Sequence, residues 1–409
     1  MRVAYFSPLP PGRSGIADYS ALLLPELARR ADVAVVRPRS RRPPRADVAL
    51  YHVGNDPEAR GWIVDALRKQ PGVVVLHDFV LHHLVAGLTL GRGDGNGYLD
   101  ALEREGGVPG RLLAHGVIDG RMPPLWESRP EDFPLTREVL GRAEAVIVHS
   151  RHVEERVRSA GFRRRVFRVP HPAWPVSPVE PAAVAGEPLV GCFGHLNASK
   201  RIPEVLEAFA RLRSRRPAAR LLLVGALAPR FRLAERVRRL GLEEDALVYE
   251  GYVDERRLWS PLAACDICAN LRHPTTGETS GAALRPLSLG RPLVVSETGW
   301  FSELPDDVAL KIPADRYEVD TLDAALELLA ARRDVRSRLA ENARCYAARE
   351  HEFGRVTEAY FRALEVAAGG EAVDEAVLLD LSSAAADTGL GDGELRRLAG
   401  LATEIGVGA

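Results

Sequence analysis

Residues that could do chemistry in this 409-residue chain follow predicted strands and precede predicted helices. The clearest segment is Leu271 to Glu303, in which a polar loop over 275–281 leads into an apolar helical stretch, Ala282 to Leu289, and then a β-branched strand, Leu293 to Val295. The first N–H groups of a helix have no partner within the helix and the dipole there is positive, so this helix start could hold an anion or sugar hydroxyls. Glu278 is the one acid in the loop itself.

The beginning of the chain has the same plan. The residues from Arg2 to Phe6 predict a strand, and a loop containing Gly12 and Gly15 leads into a helix predicted from Ile16 to Arg30. Glycines at such a helix start let the backbone approach a ligand closely, although a plain glycine turn explains them as well. The dinucleotide fingerprint G-x-G-x-x-G is absent here, which argues against a nicotinamide-binding protein.

A third strand, loop and helix begin after Pro188. The strand ends at Phe193, Gly194 makes a turn, and Lys200 and Arg201 come just before a helix predicted from Pro203. Lysine is rare in this arginine-rich chain, which contains Lys69, Lys200 and Lys311. Two cations at a helix start are either phosphate ligands or ordinary solubilising charges. The repeated plan predicts two like domains that face each other across a cleft.

Polar residues also follow a strand predicted from Val73 to His77. His77 and Asp78 lie at its carboxyl end, where open α/β sheets bind ligands, although a lone histidine is more often structural. Gly225 and Gly251 stand at two further strand ends. The other predicted strands are Asp32–Val36, Val48–Val53, Arg220–Val224, Ala246–Glu250 and Asp266–Asn270, together with the segments EAVIVHS and RVFRVPHP. Ser150, which ends EAVIVHS, is expected to cap a helix that begins near His152. Strands that alternate with helical segments imply parallel sheets covered on both faces.

Composition excludes several classes of protein. The chain is 46% hydrophobic and 27% charged with a net charge of −1, which suits two globular domains and argues against a general nucleic-acid binder. Cys265 and Cys268 form a C-x-x-C in a predicted strand, where residues three apart point to opposite faces, so buried free thiols are expected. Because neither a signal peptide nor an apolar run of membrane-spanning length is visible, we expect a cytoplasmic protein.

Four segments leave alternatives open. The basic loop Arg37–Arg45 is either solvated or a peripheral contact with the inner face of an anionic membrane or with a lipid-linked acceptor. The glycine-rich residues from Leu90 to Pro134 are expected to be irregular, as a lid, an acceptor loop or variable surface. His82 and His83 are expected to be surface or core residues and not metal ligands. The tail over 370–409 either packs locally or mediates self-association.

Taken together, these motifs resemble the retaining glycosyltransferases of the GT-B fold, of the family-4 type, over Met1 to Ala367. The resemblance implies an α/β protein with two Rossmann-like domains facing across a cleft. The expected ranges are 1–175 for an acceptor domain, 186–352 for a donor domain, and 353–409 for a helix that crosses back to the first domain, with its tail. The segment TGWFSELPD resembles a further loop of that family.

The resemblance also implies roles for individual residues. His77 would position the sugar or the acceptor, and Glu278 would orient the sugar hydroxyls. The donor phosphates would meet Gly12, Gly15, Gly194, Lys200, Arg201 and Arg285; the donor sugar and nucleotide would meet Gly225, Gly251, Thr279, Ser280, Gly281 and Glu303; the acceptor would meet Asp18 and Asp78.

Two positions depart from the family pattern. Arg285 stands where a ribose-binding glutamate is expected, and guanidinium cannot accept hydrogen bonds, although it suits phosphate well. His195 stands where a phosphate-binding arginine is expected. Neutralisation of the donor phosphates would thus be reduced unless Arg201 or another arginine fills the gap.

The implied reaction moves a hexose-type sugar from a nucleotide-diphospho-sugar to a hydroxyl of a glycan, a lipid-linked molecule or a small molecule. No D-x-D sequence occurs, so the metal-clamped architecture is disfavoured, and transfer with retention and without metal or other cofactor is expected. An epimerase with the same cleft would need an acid/base set that the sequence does not display. A non-catalytic protein that binds a nucleotide-sugar or a partner subunit is the other alternative, and a donor-hydrolysis assay would discriminate between it and an enzyme.

Overall fold

Two six-stranded parallel sheets form the core of the computed structural model. It describes residues 1–12, 14–38, 40, 44–229, 231–242 and 244–369, and eight residues between 384 and 401. The first sheet has the strand order β2-β1-β3-β4-β5-β6. Its strands are Arg2–Phe6 (β1), Asp32–Val36 (β2), Val48–Val53 (β3), Gly72–Leu76 (β4), Ala143–Val148 (β5) and Arg165–Arg168 (β6). Strands β3 and β4 are buried along their whole length, which explains their nearly continuous apolar sequence.

Helices on both faces of the first sheet place their first turns near the carboxyl ends of its strands. They are Gly15–Arg30 (α1), Pro57–Lys69 (α2), His82–Leu88 (α3), Gly95–Ile118 (α4), Leu125–Ser128 (α5), Arg137–Arg142 (α6) and Arg151–Ser159 (α7). Ser14 caps α1 by accepting a hydrogen bond from Ala17 N, and Ser150 caps α7 in the same way, as expected from its sequence.

The expectation that 90–134 is irregular is wrong, because α4 occupies most of this stretch, with a kink at Gly107. Tyr98, Leu102 and Ala114 are fully buried on its inner face, against Leu125. The packing energy of this apolar face overrides the low helix propensity of its glycines.

The second sheet has the strand order β12-β11-β10-β7-β8-β9. Its strands are Leu189–Phe193 (β7), Arg220–Val224 (β8), Leu247–Glu250 (β9), Ile267–Asn270 (β10), Leu293–Ser296 (β11) and Ala309–Ile312 (β12). Its helices are Ile202–Arg215 (α8), Leu233–Arg239 (α9), Glu255–Ala264 (α10), Gly281–Ser288 (α11), Glu318–Ala331 (α12) and Arg333–Glu350 (α13). The segment 169–188 between the two sheets contains neither strand nor helix, and we retain 1–175 and 186–352 as the proposed domain limits.

The last long helix, Phe353–Ala367 (α14), crosses back to the first sheet as expected. Its buried residues Val356, Tyr360 and Leu364 pack in one cluster with Tyr5 and Tyr19 of the first domain. An ion pair between Arg30 and Glu358 holds the outer edge of this contact. The predicted role of the tail over 370–409 falls almost wholly outside the described residues.

Three smaller expectations have mixed outcomes. All four cysteines are free, and Cys265 and Cys268 are buried, as expected. The expectation that these two lie on opposite faces of a strand is wrong, because Cys265 is the residue that ends α10. Both side chains pack in one apolar cluster. Of the basic loop, Arg39, Arg41 and Arg42 lie outside the described residues. Across the part of the chain that is described, no helix is long and apolar enough to traverse a bilayer.

Candidate functional site

Lys200 is the buried cation at the carboxyl edge of the second sheet. Asn197 caps the short turn that carries it, and the ammonium donates a 2.6 Å hydrogen bond to the carbonyl oxygen of Phe193 at the end of β7. A Cβ atom at Gly194 would lie 2.6 Å from Lys200 Nζ, so glycine at that position leaves the space that the amine occupies. Burial lowers the pKa of Lys200 to about 7, with a further lowering from the nearby charge of Arg272.

The start of α11 lies beside this amine. A Cβ at Gly194 would also contact Ala282, in the first turn of α11. Ser280 stands at the N-cap position without a side-chain capping bond, and Thr279 Oγ1 is buried without a hydrogen-bond partner. Unsatisfied donors at a helix start, next to a buried ammonium, form a site with the charge and hydrogen bonds that an anion requires.

Arg285 adds a second cation, on the following turn of α11. It is 7% exposed, its guanidinium stacks on the Trp174 ring at 3.6 Å from the centroid, and it makes a two-pronged ion pair with Glu255 at 2.5 and 3.1 Å. Gly281 permits this packing, since a Cβ there would lie 3.0 Å from the Trp174 ring and 3.2 Å from the guanidinium. Arg285 is therefore fixed at the junction of the two domains.

The start of α1 faces this junction from the first domain. Burial raises the pKa of Asp18, in the first turn of α1, while the charge of Arg285 lowers it and that of Glu255 raises it, so all three groups lie within electrostatic reach of one another. Gly12 N donates to Leu9 O in the preceding turn, and the Cβ position of Gly15 is open. Two helix starts, those of α1 and α11, thus come together around Arg285.

Glu278 lies in the loop between β10 and α11, where its own neighbours hold it tightly. Its Oε2 accepts from Thr276 N at 2.9 Å, from Thr276 Oγ1 at 2.8 Å and from Thr275 Oγ1 at 3.2 Å, and its Oε1 pairs with Arg272. Burial raises the pKa of Glu278, but the Arg272 charge and the Thr276 bonds outweigh burial and leave the pKa below its usual value. Glu278 is an ionised carboxylate in a fixed orientation.

The same loop docks on the first domain next to β4. Val80 N donates to Thr276 O at 2.8 Å, and Thr276 Oγ1 lies 2.8 Å from Asp78 Oδ1. Gly277, at φ +79°, touches Phe79 so closely that a Cβ would lie 2.8 Å from the Phe79 Cβ. Asp78 and Glu278, predicted from separate segments, therefore meet through Thr276.

His77 lies in a group of buried histidines under α1. Its Nε2 is 3.0 Å from His52 Nδ1, and its ring packs edge-on against Tyr19. Four histidines follow or end four neighbouring strands of the first sheet: His52, His77, His149 and His171. Burial lowers the pKa of each, to about 4 for His149, so all four are neutral near pH 7.

Two predicted ligands have other partners. Arg201 makes ion pairs with Glu318 and Glu204. Glu303 accepts from His152 N at 2.6 Å and from Arg151 N at 3.1 Å, so its carboxylate caps α7 across the domain boundary. The partners of Arg201 and Glu303 were not apparent from the local sequence.

Gly225 and Gly251, at neighbouring strand ends, differ sharply in their surroundings. Gly225 has φ +140°, and a Cβ there would lie 1.9 Å from the carbonyl oxygen of Gly194, whereas at Gly251 the nearest atom would be 3.9 Å away. Gly225 is thus required for β7 and β8 to end side by side. Gly251 is exposed and carries no such constraint.

We expect Gly225→Ala to destabilise the second domain by about 4 kcal/mol, because the added methyl group cannot fit without displacing Gly194 from Lys200. Thermal unfolding followed by circular dichroism measures this effect. Gly251→Ala is the matched control and should unfold within about 1 °C of the wild type. Equal melting temperatures for the two variants would contradict the close approach of Gly225 to Gly194.

Several residues of the site were not predicted: Arg272, Glu255, Trp174, His52, His149 and His171. A signal existed for the histidines, because each ends or closely follows an apolar strand, as His77 does. Among the described residues, no group of three or more His, Cys, Asp or Glu side chains is arranged to hold a metal ion.

Comparisons with known proteins bear on the fold and on the family of part of the chain. Residues 187–331 match the family model described as Glycosyl transferases group 1, a range that includes most of the proposed second domain and the segments of Lys200 and Glu278. The sequence matches none of the curated proteins with which it was compared.

Among solved structures, sucrose-phosphate synthase from Thermosynechococcus elongatus is similar at 19% identity and a TM-score of 0.59, over 90% of this chain and 100% of the other. The Anabaena protein HepE, solved in complex with UDP-glucose, is similar at 16% identity and a TM-score of 0.61, over 89% of this chain and 99% of its own. At these identities the likeness shows the fold, and the expected architecture of two Rossmann-like domains, GT-B, is confirmed. With the family match, the comparisons support a glycosyltransferase.

Proposed function

We propose that this protein is a glycosyltransferase that moves a hexose from a nucleotide-diphospho-sugar to an acceptor hydroxyl, with retention at the anomeric carbon and without a metal ion. The observation that carries the proposal is the meeting of Lys200, Arg285 and the starts of α1 and α11 at one domain junction. These groups are suited to a diphosphate, and the fixed carboxylate of Glu278 stands on the loop that leads into α11.

Donor binding would use basic side chains that the free protein already holds in place. Lys200 is held by a neutral carbonyl oxygen, so a diphosphate can take over its ammonium without breaking a carboxylate pair. Arg285 is immobilised by Trp174 and Glu255 and would present its remaining donors to the same anion. Negative charge that develops on the leaving diphosphate would be stabilised by donors whose positions are set in advance.

The remaining roles follow from where the side chains lie. Glu278 would accept hydrogen bonds from the donor sugar, because an ionised carboxylate is an acceptor only. Gly12, Gly15 and Asp18 would face the phosphates and the acceptor from the α1 side. His77, neutral and bonded to His52, would offer the sugar or the acceptor a neutral imidazole and not a cation. Arg201 and Glu303 would contribute indirectly, by holding α12 and α7.

The proposal is tested by incubating the purified protein with UDP-, GDP- and ADP-linked hexoses, with EDTA present or absent, and measuring release of free sugar and nucleoside diphosphate. Slow release from one nucleotide family, unaffected by EDTA, is the expected result. UDP-glucose is the first donor to try, since HepE was solved in complex with it. The configuration of the released sugar, read by NMR before mutarotation, reports retention or inversion. Release that stops in EDTA, or inversion, would contradict the corresponding part of the proposal.

A non-catalytic nucleotide-sugar-binding protein is the second candidate. The observation that favours it is Arg285, a donor-only side chain at the position where the family places a ribose-binding glutamate. Binding without any release of sugar, across the whole donor panel, would favour this candidate over the enzyme.

A further inference from the structure

One hydroxyl group lies between two carboxylates that belong to different domains. Thr276 Oγ1 is 2.8 Å from Asp78 Oδ1 on the first domain and 2.8 Å from Glu278 Oε2 on its own loop. Both distances are those of good O–H···O hydrogen bonds. The three oxygens therefore form a continuous chain across the domain boundary.

Counting protons favours one protonated carboxyl group in this chain. Two hydrogen bonds need two protons, and a threonine hydroxyl supplies one. If both carboxylates were ionised, one of the 2.8 Å contacts would join two acceptors with no proton between them. A proton on Asp78 or on Glu278 would complete both hydrogen bonds.

The surroundings of the two acids decide which one holds it. Glu278 faces donors, namely the Arg272 guanidinium, Thr276 N and the Thr275 hydroxyl, all of which favour its charged form. Asp78 Oδ2 accepts from Asn55 N at 2.8 Å, which leaves Oδ1 to face Thr276. The charged groups around Asp78 are Arg60, itself paired with Asp56 at 3.6 Å, and Glu278 across the domain boundary.

Electrostatics points to the same assignment. Burial raises the pKa of Asp78, the charge of Glu278 raises it further, and the opposing effects of Arg60, the Asn55 amide and Thr276 do not cancel this rise. The pKa of Glu278 is lowered. Of the two acids, Asp78 is therefore the one whose surroundings favour the protonated form.

We propose that Asp78 is a neutral positioning residue, whose O–H donates to Thr276 Oγ1 while the Thr276 hydroxyl donates to Glu278, so that the first domain orients the Glu278 carboxylate of the second. The chain itself follows from the contacts, and only its consequence for sugar transfer rests on the proposed function. Asp78 would thus act on the reaction through Glu278, in place of the acceptor contact expected from the sequence.

The chain has a defined pH dependence. Since the pKa of Asp78 is raised in the folded protein, its contribution to stability is complete below the usual pKa of an aspartate and is lost as the pH rises through the raised value. Above that value, Asp78 and Glu278 are both anions that compete for one hydroxyl proton. The contact between the donor loop and the first domain then weakens.

The test compares Asp78→Asn with Asp78→Ala in the full chain. Asparagine reproduces the neutral acid, because its carbonyl oxygen accepts from Asn55 N and its amide group donates to Thr276 Oγ1. We expect Asp78→Asn to keep the melting temperature that the wild type has while Asp78 is protonated, and to lose the fall that the wild type shows as the pH rises through the pKa of Asp78. Asp78→Ala and Thr276→Val should melt roughly 3–6 °C lower, and Thr276→Ser should resemble the wild type.

Two further readouts separate a neutral Asp78 from a merely structural one. The infrared difference spectrum of wild type minus Asp78→Asn, recorded over a series of pH values, should contain the carbonyl band of a protonated carboxyl group that persists above the usual pKa of an aspartate. If the protein transfers sugar, the alkaline limb of its pH–rate profile should be displaced in Asp78→Asn. A melting temperature of Asp78→Asn as low as that of Asp78→Ala, or a difference spectrum without that band, would overturn the proposal. The melting temperatures and the infrared spectra require no donor, so they test the proposal about Asp78 even if the proposed function is wrong.

Discussion

Replacing Lys200 with methionine is expected to weaken binding of a nucleotide-diphospho-sugar by about 30-fold or more, since removing one charged partner of a buried contact typically costs about 2–5 kcal/mol. Methionine has a similar length and fills the space beside Gly194, so the unliganded variant should remain folded. Removing an amine whose burial already lowers its pKa to about 7 should leave the unliganded stability close to that of the wild type. Isothermal titration calorimetry and thermal shift measure the two effects separately.

Lys69→Met is the matched control for this variant. Lys69 is an exposed lysine in the last turn of α2, and its loss should leave donor binding unchanged. A donor at about 100 times its Kd should raise the melting temperature of the control by roughly 5 °C and that of Lys200→Met far less. Equal donor affinity in Lys200→Met and the wild type would exclude Lys200 from the donor site.

Glu278→Gln is expected to reduce the rate of sugar release or transfer by about 100-fold or more, equivalent to about 2.7 kcal/mol of transition-state stabilisation, while donor affinity changes much less. Glutamine keeps the size of the side chain but removes the charge that Arg272 and the two threonines orient. The measurement is kcat and KM for donor hydrolysis, with the donor Kd determined independently.

Glu297→Gln removes an exposed acid just after β11 and is the matched control, with no expected change in either constant. A large fall in both donor affinity and melting temperature of Glu278→Gln would mean that Glu278 mainly supports the loop and the domain contact. An unchanged kcat would remove Glu278 from the proposed machinery.

The strands were largely predictable because the sequence pattern of a buried strand lies within the strand itself and the turns beside it. β1, β2, β3 and β8 have the bounds expected from the sequence, since β-branched and aliphatic runs between turn residues describe strands buried in a parallel sheet. The helix α4 was missed because its glycines obscure an apolar face that is visible only once its packing partners are known. Local propensity was overridden there by tertiary contacts.

The partners of the site residues could not be read from the sequence, because they are distant along the chain. Glu303 caps a helix that begins at Arg151, and Thr276 reaches Asp78 across the domain boundary. Arg285 was recognised as a departure from the family pattern, but only the structure gives it Glu255 and Trp174 as partners. By contrast, Lys200, Gly194 and the start of α11 were found from strand–loop–helix order, since parallel strands bring such loops to one edge.

The most direct test of a diphosphate site at Lys200 is the proton balance of donor binding. At pH 8 an amine with a pKa of about 7 is mostly neutral in the free protein, and contact with a diphosphate would raise that pKa and draw in a proton. Affinity should accordingly fall as the pH rises above 7, because the neutral amine must first be protonated. UDP-glucose would be titrated calorimetrically at pH 8 with EDTA, in two buffers of different ionisation enthalpy. We predict saturable binding with uptake of about one proton, which disappears in Lys200→Met. Two results would contradict a diphosphate site at Lys200. One is the absence of saturable binding for UDP-, GDP- and ADP-sugars alike, and the other is binding that takes up no proton and is unchanged in Lys200→Met.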